Sequence, residues 1–334
     1  MTGVLDRARE LADGVLWPAG DEIEAAGQVP RRLLDALADQ GLYGLTGPAD
    51  AGGLDAEPAT AARVSEEHAA GDLSTAFVWL QHLGVVSTVA RAAYPGLAEL
   101  CAGRLRAGVA LQAATRPGPA AVTVRADAGG FVVDGDVPWV TGWGLVDVVL
   151  LAARDGDDVV HLFWTDAVEG PALTAVPQDL VAVTASSTVQ LHVRGLRLPA
   201  DRLVATVPLA DWQAGDAAGL RPNGSLALGV VARCARLATG PLADALTAEL
   251  DTVRTRLDAA TPAELPPARA AAAALAARAT TALVVATGSS AIAAASPVAR
   301  LAREALFLQV FGTRPAIRAA LLTELSGPPR TARG

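Results

Sequence analysis

The chain has 334 residues, a net charge of −8 and an isoelectric point near 5.1. That acidic balance argues against nucleic acid and anionic membrane surfaces as partners, since both select basic faces. All 27 basic residues are arginine, and alanine inflates the 51 % apolar share, favouring helices while burying little area per residue. The length suffices for two or three packed units around a large core. Cys101 and Cys234 stand far apart in helical contexts and read as small buried hydrophobes; no spacing suggests a metal. No basic-then-apolar leader precedes Leu5, and no apolar run approaches the ~18 residues of a membrane span, so a soluble, cytoplasmic protein is expected.

Residues 1–107 read as a helical domain. Leu5, Ala8, Leu11, Ala12 and Val15 keep a 3.6-residue stripe. Pro30 opens a helix carrying Leu33, Leu34 and Leu37, which Gly41 stops. After a loop from Gly44 to Leu54, helices fit Pro58 to Ala69 and Ser74 to Ala90, the second capped by Ser74, and a short one runs from Pro95 to Arg106. Glu66, Glu67 and His68 share the first of these, with two of the three expected to face solvent.

From Gly108 the period changes from 3.6 to 2, and residues 108–207 read as a small antiparallel barrel or sandwich. Strands fit Val109 to Ala113, Ala121 to Ala126, Phe131 to Val133, Trp139 to Thr141, Val146 to Ala152, Val159 to Trp164 and Thr188 to Val193. Asp134-Gly135 supplies turn chemistry between the third and fourth, making a corner that holds Trp139 and Trp143. A flat indole there serves either a sheet core or a planar ligand. Residues 208–326 return to helices, at Ser225 to Leu237, Pro241 to Leu257, Pro267 to Ala286, Pro297 to Leu308 and Pro315 to Leu325, and 327–334 read as a frayed tail.

Several stretches resemble the acyl-CoA dehydrogenase family. Gly135-Asp136-Val137-Pro138-Trp139-Val140-Thr141-Gly142 resembles the G-x-x-x-W-[IV]-[ST]-[GN] run with which that family holds its flavin ring. Gly44 to Pro48 with Gly52-Gly53, then Gly71-Asp72-Leu73-Ser74, resemble its N-terminal loop and G-D-x-S step. Ser186 to Leu191, ending at Leu198-Pro199, is similar to the family's exit from its β-domain. The resemblance implies an α+β fold of a helical domain, a β-domain and a helical bundle. It also implies FAD, a small-molecule acyl substrate carried on CoA or a carrier, and assembly as a homodimer, homotetramer or heteromer with a homologous subunit.

Within that resemblance Thr141 matches the residue reaching flavin N5, and Trp139 the packing beside the ring. The family's T-E-P-x-x-G-S-D segment, which contacts the pyrimidine edge, is replaced here by Leu111 to Gly118, where Gln112 or Thr115 could serve. Gly288 and Ser289 resemble its adenine-side turn, and Gly312-Thr313 the end of its Y-E-G-T. The arginine that the family sends to the pyrophosphate has no counterpart near Pro241. Acyl-CoA dehydrogenation needs a carboxylate to take the α-proton while the β-hydride leaves. The family's two positions for that glutamate match Phe311 and Leu220 here, so both carboxylates are absent. His82 and Glu304 are the candidate substitutes, Glu304 also reading as half of a structural ion pair. The expected function is an FAD-dependent oxidoreductase with altered CH–CH chemistry. The alternatives are a non-catalytic subunit that pairs with an intact homologue, or a flavin-dependent monooxygenase on the same fold.

Overall fold

Proline and glycine punctuate the N-terminal third into short helices that fold back on two longer ones. The computed structural model describes residues 3–215 and 219–326. The 327–334 tail thus lies outside the described residues. Helix α1 (Val4–Leu11) runs on as a π-helical turn, Ala12–Leu16, and is followed by α2 (Gly20–Ala26), α3 (Arg31–Asp39), α4 (Pro58–Gly71), α5 (Leu73–Ala92) and α6 (Leu97–Cys101). The cap of α5 is Asp72 rather than Ser74: its carboxylate accepts the Thr75 amide at 2.7 Å. The stretch expected as a helix from Pro95 to Arg106 is helical only in α6, because Gly96 and Gly103 take left-handed φ on either side of it.

The middle of the chain is one eight-stranded sheet: β1 (Ala107–Ala110), β2 (Val122–Asp127), β3 (Gly130–Val140), β4 (Val148–Arg154), β5 (Val159–Asp166), β6 (Leu173–Pro177), β7 (Val189–Pro199) and β8 (Leu203–Pro208), with a short helix α7 (Gln112–Thr115) after β1. Its order is β6-β7-β3-β2-β4-β5-β8, and β1 lies parallel beside β4. Strand β1 ends three residues short of the expected Ala113, and the chain enters α7 instead. β6 and β8 have weak two-residue patterns, which hid them from periodicity. All seven residues of β4 are buried, since alternate side chains meet different cores. Val149 and Leu151 face the sheet interior with Val133, Phe163 and Leu191. Val148, Leu150 and Ala152 pack on Val85, Val86 and Val89 of α5. A strand covered on both faces reads as a continuous apolar run, as VVLLAA does.

The Asp134-Gly135 turn does not form. β3 crosses it unbroken, with register shifts on β7 between Val133 and Gly135 and between Val137 and Val140. Gly135 is needed for a different reason: a Cβ there would stand 2.1 Å from the Ala121 carbonyl, just before β2.

The C-terminal part comprises α8 (Leu209–Gly215), α9 (Leu220–Leu237), α10 (Pro241–Ala259), α11 (Leu265–Thr287), α12 (Pro297–Leu308) and α13 (Pro315–Ser326). The segments Leu73–Ala92 and Leu265–Ile292 are, by length and composition, apolar enough to cross a membrane, against the expectation that no run is. Both are mostly buried against other elements here, as core helices of folded domains are. α9 lies on α4, and the expectation for Glu66, Glu67 and His68 is corrected there. All three are buried, because α9, α1 and α5 pack around α4. Glu66 pairs with Arg63, Arg221 and Arg254, and Glu67 with Arg9 and Arg236. His68 meets Trp79 edge-on at 4.5 Å. Both cysteines are buried, as expected.

Candidate functional site

The end of β3 is built around one extra residue. Val137 pairs with Leu191 and Val140 with Val189, so β3 spends three steps where β7 spends two. The bulge puts Trp139 at φ +62°, a left-handed conformation that is a genuine outlier for a bulky residue, and leaves its indole 53 % exposed. Strain at an exposed aromatic stabilises no core, which makes it a candidate for ligand contact.

Directly after it the chain is fastened to the turn before β7. The Gly142 amide donates to the Ser186 carbonyl at 2.9 Å and the Trp143 amide to that of Ser187 at 3.0 Å. The Thr141 hydroxyl lies 3.1 Å from that of Thr188, itself 2.8 Å from the Ser186 hydroxyl, and all three residues are buried. That turn is strained too: Val183 and Ser187 both take φ +49° around the 3-10 turn Thr184–Ser186. Sequence reasoning missed Ser186 and Thr188 as site residues, although the Ser-Ser-Thr run preceding β7 carried the signal.

The other expected cofactor contacts are engaged locally. Gln112 accepts from Arg116 at 2.8 Å, and the Thr115 hydroxyl donates to the Leu111 carbonyl at 3.2 Å, so both are engaged within the turn of α7. Gly288 ends α11 at φ +77° and opens a 3-10 turn with Ser289. Gly312, at φ +61°, follows α12, and the Thr313 hydroxyl donates to the Val310 carbonyl at 3.0 Å. Among the described residues no hydrogen bond joins these C-terminal positions to Trp139 or Thr141.

The positions of the missing carboxylate are apolar in structure as well as sequence. Leu220 is buried with Leu265, Ile317 and Leu321. Phe311 meets Phe77 of α5 edge-on at 4.8 Å and stacks on Phe307 at 5.2 Å, while Phe77 and Phe307 are 5.0 Å apart. This three-ring cluster, with Phe77 and Phe307 unforeseen, welds α5 to the end of α12.

Neither candidate substitute faces the corner. His82 donates from Nε2 to the Leu100 carbonyl at 3.1 Å and accepts the Ala107 amide on Nδ1 at 3.0 Å, which fixes its tautomer. Burial pushes its pKa down to about 3, so it is a neutral fastener between α5 and β1. Glu304 is buried 3.9 Å from Arg300, beside a recess of about 20 Å³ that Asp72, Ser74, Arg303 and the Val181–Ala185 loop also line. Burial pushes its carboxyl up to about 8, with Arg300 opposing and Asp72 adding to the rise.

A pH dependence follows. The folded state holds the Glu304 proton to about pH 8, whereas an unfolded chain releases it near 4.5, so stability falls as pH rises across that window. Glu304→Gln is expected to match the wild type below pH 5 and to exceed it by roughly 1–3 kcal/mol at pH 8–9. Urea denaturation at both pH values measures this, and a variant less stable at pH 9 would contradict the assignment.

Comparison with known proteins follows the same lines. Residues 2–97 match the family described as acyl-CoA dehydrogenase, N-terminal domain. The chain is 26 % identical over 216 residues to the 3-sulfinopropanoyl-CoA desulfinase of Variovorax paradoxus, covering 60 % of this chain and 54 % of that protein, so the match spans about half of the relative's length. In structure it is similar to butyryl-CoA dehydrogenase from Megasphaera elsdenii, with TM-score 0.82, 16 % identity and 98 % of each chain covered. It is similar also to a probable acyl-CoA dehydrogenase from Mycobacterium abscessus, with TM-score 0.82, 20 % identity and coverage of 97 % of this chain and 98 % of that one. At such identities the structural likeness shows the fold alone.

Proposed function

We propose that this chain, a member of the acyl-CoA dehydrogenase family by its N-terminal sequence and its fold, is a flavin-binding oxidoreductase subunit that does not itself abstract the substrate proton. The observation that carries the first half is the exposed, strained Trp139 one bulge away from the buried Thr141 hydroxyl. An indole face and a hydroxyl two residues along fit the edge of an isoalloxazine, which offers a flat apolar surface and a ring nitrogen. When bound, FAD supplies the two-electron acceptor for oxidation of an acyl thioester. Trp139 would pack on the ring and Thr141 would hydrogen-bond its central nitrogen, while Gly288, Ser289, Gly312 and Thr313 are the expected contacts for the rest of the cofactor across an assembly interface.

The three-ring cluster carries the second half. A carboxylate at 311 would lie against Phe77 and Phe307, in surroundings that penalise its ionisation. Loss of a general base removes about 10²–10⁴-fold in rate. A homologous subunit is the proposed source of the carboxylate, and equally of the pyrophosphate contact that this chain lacks near Pro241. The substrate is an acyl group on CoA or a carrier.

The test is spectroscopic. Protein loaded with FAD is expected to keep its yellow absorbance when short and long acyl-CoA thioesters are added, and to bleach once a carboxylate-bearing homologue is supplied. Bleaching by the isolated chain would overturn the division of labour.

A further inference from the structure

The loop of residues 181–187 reaches two places at once. Its first part roofs the recess beside Glu304, whose other walls are helical: Glu24 of α2, Asp72 and Ser74 at the start of α5, and Arg300 and Arg303 of α12. Its last two residues carry the carbonyls that receive the Gly142 and Trp143 amides, directly after Trp139. Two further bonds hold the loop down, from the Val29 amide to the Ala185 carbonyl at 3.0 Å and from the Gln28 side chain to the Ser187 hydroxyl at 3.2 Å. Val183 nonetheless takes φ +49°, which a β-branched residue adopts only under constraint.

The surroundings of Glu304 decide what happens when it ionises. Arg300 stands 3.9 Å away and is not free to close on it. Its guanidinium lies over the Trp17 ring at 4.8 Å and against the Gly20 backbone, where a Cβ would stand 1.4 Å from Nη1. Arg303 is taken by Glu24, and Asp72 accepts the Thr75 amide at 2.7 Å. On the α9 side stands Cys234, whose thiol burial pushes up to about 12, so it stays neutral. The charge that changes in the recess as pH rises toward 8 is therefore that of Glu304. An anion there needs hydration, and about 20 Å³ has room for roughly one water molecule. Of the walls, the strained loop is the one that can move without parting packed helices.

We propose that residues 181–187 form a proton-sensitive strap. With a proton on Glu304 the strap lies closed and holds Gly142 and Trp143; when that proton leaves, hydration of the carboxylate lifts the strap and frees them. Opening weakens the hold of Glu304 on its proton. The open fraction consequently grows with pH, by at most about tenfold per unit, until the closed form has also ionised near pH 8, and levels off above that. A ligand that needs the corner fastened is then bound together with the Glu304 proton. For flavin as that ligand, the linkage rests on the reading that it seats on Trp139.

Amide hydrogen exchange in the full chain without FAD reads the strap directly, because the Gly142 and Trp143 amides exchange when it lifts. Their protection, corrected for the intrinsic pH dependence of exchange, is expected to fall at least about tenfold from pH 6 to pH 8. In Glu304→Gln the fall is expected to be under about twofold, and Glu304→Met serves if that variant does not fold. Constant protection in the wild type, or an equal fall in the variant, would overturn the strap. Protection equal to that of the Leu150 and Leu151 amides of β4 at both pH values would overturn it too, since only global unfolding would then expose the corner. A second arm titrates FAD: the wild-type Kd is expected to be at least about threefold higher at pH 8 than at pH 6, and that of Glu304→Gln to stay level. If exchange follows the expectation while FAD affinity ignores pH, the strap stands and the flavin seat on Trp139 fails.

Discussion

Gly229→Leu is expected to lose at least about 3 kcal/mol of stability, the largest effect of any single substitution considered, because α4 and α9 touch backbone to side chain at that point. A Cβ on Gly229 would lie 2.4 Å from the Glu66 carbonyl and 2.6 Å from the Ala69 methyl. Neither is the movable end of a long side chain, so the helices themselves must part. Their separation would draw Arg221, Arg233 and Arg236 of α9 away from Glu66, the Ala70 carbonyl and Glu67. Gly229→Ala should show the same direction with a smaller loss. Urea denaturation measures both, and a leucine variant within about 1 kcal/mol of wild type would mean that the two helices pack less closely than described.

The second large effect is electrostatic. Glu66 is buried with Arg221 at 3.2 Å, Arg254 at 2.8 Å and Arg63 at 3.2 Å. Removing one partner from a buried ionic group leaves the remaining charges in a poorly solvated place, at about 3–5 kcal/mol for an isolated pair. Here Asp258 still holds Arg221 and Asp251 still holds Arg254, which places Glu66→Ala near the lower end, about 3 kcal/mol. Glu66→Leu is the informative companion: it restores volume but not charge, so an equal loss assigns the effect to the arginines. If both variants melt with the wild type, the network is solvated and contributes little.

Helices in the C-terminal bundle were the most legible part of the chain, because proline stands at the start of four of them and the apolar period runs over many turns. The α12 limits, Pro297 and Leu308, agree with the sequence expectation at both ends. The sheet was legible in kind but less so in detail. Asp134-Gly135 carries the composition of a hairpin turn, yet tertiary contact with Ala121 uses the same glycine for close approach inside a strand. Ser74 and Asp72 are both good caps, and only the observed bond to the Thr75 amide distinguishes them.

Burial was the quantity hardest to foresee. Glu66, Glu67 and His68 are polar residues on a helix of low amphipathicity, and solvent is their ordinary surroundings. Arginines from α1, α9 and α10 reach the two glutamates across more than fifty residues of sequence, and His68 packs on Trp79 of the next helix, neither of which a local pattern encodes. His82 illustrates the converse. The sequence offers this histidine as a substitute base, but both of its nitrogens are spent on backbone groups at Leu100 and Ala107. Trp139 and Thr141 were singled out by sequence. Their strain, exposure and hydroxyl partners became visible only in three dimensions.

The proposed flavin site at Trp139 is tested most directly by titrating FAD into the wild-type chain and into Trp139→Gly while following flavin absorbance and tryptophan fluorescence. Glycine adopts the left-handed backbone of position 139 without strain, so the variant should be at least as stable as the wild type. It should bind FAD at least about tenfold more weakly, through loss of the stacking surface. Equal affinity in the two proteins, or no binding by the wild type at micromolar FAD, would contradict a flavin seated on Trp139.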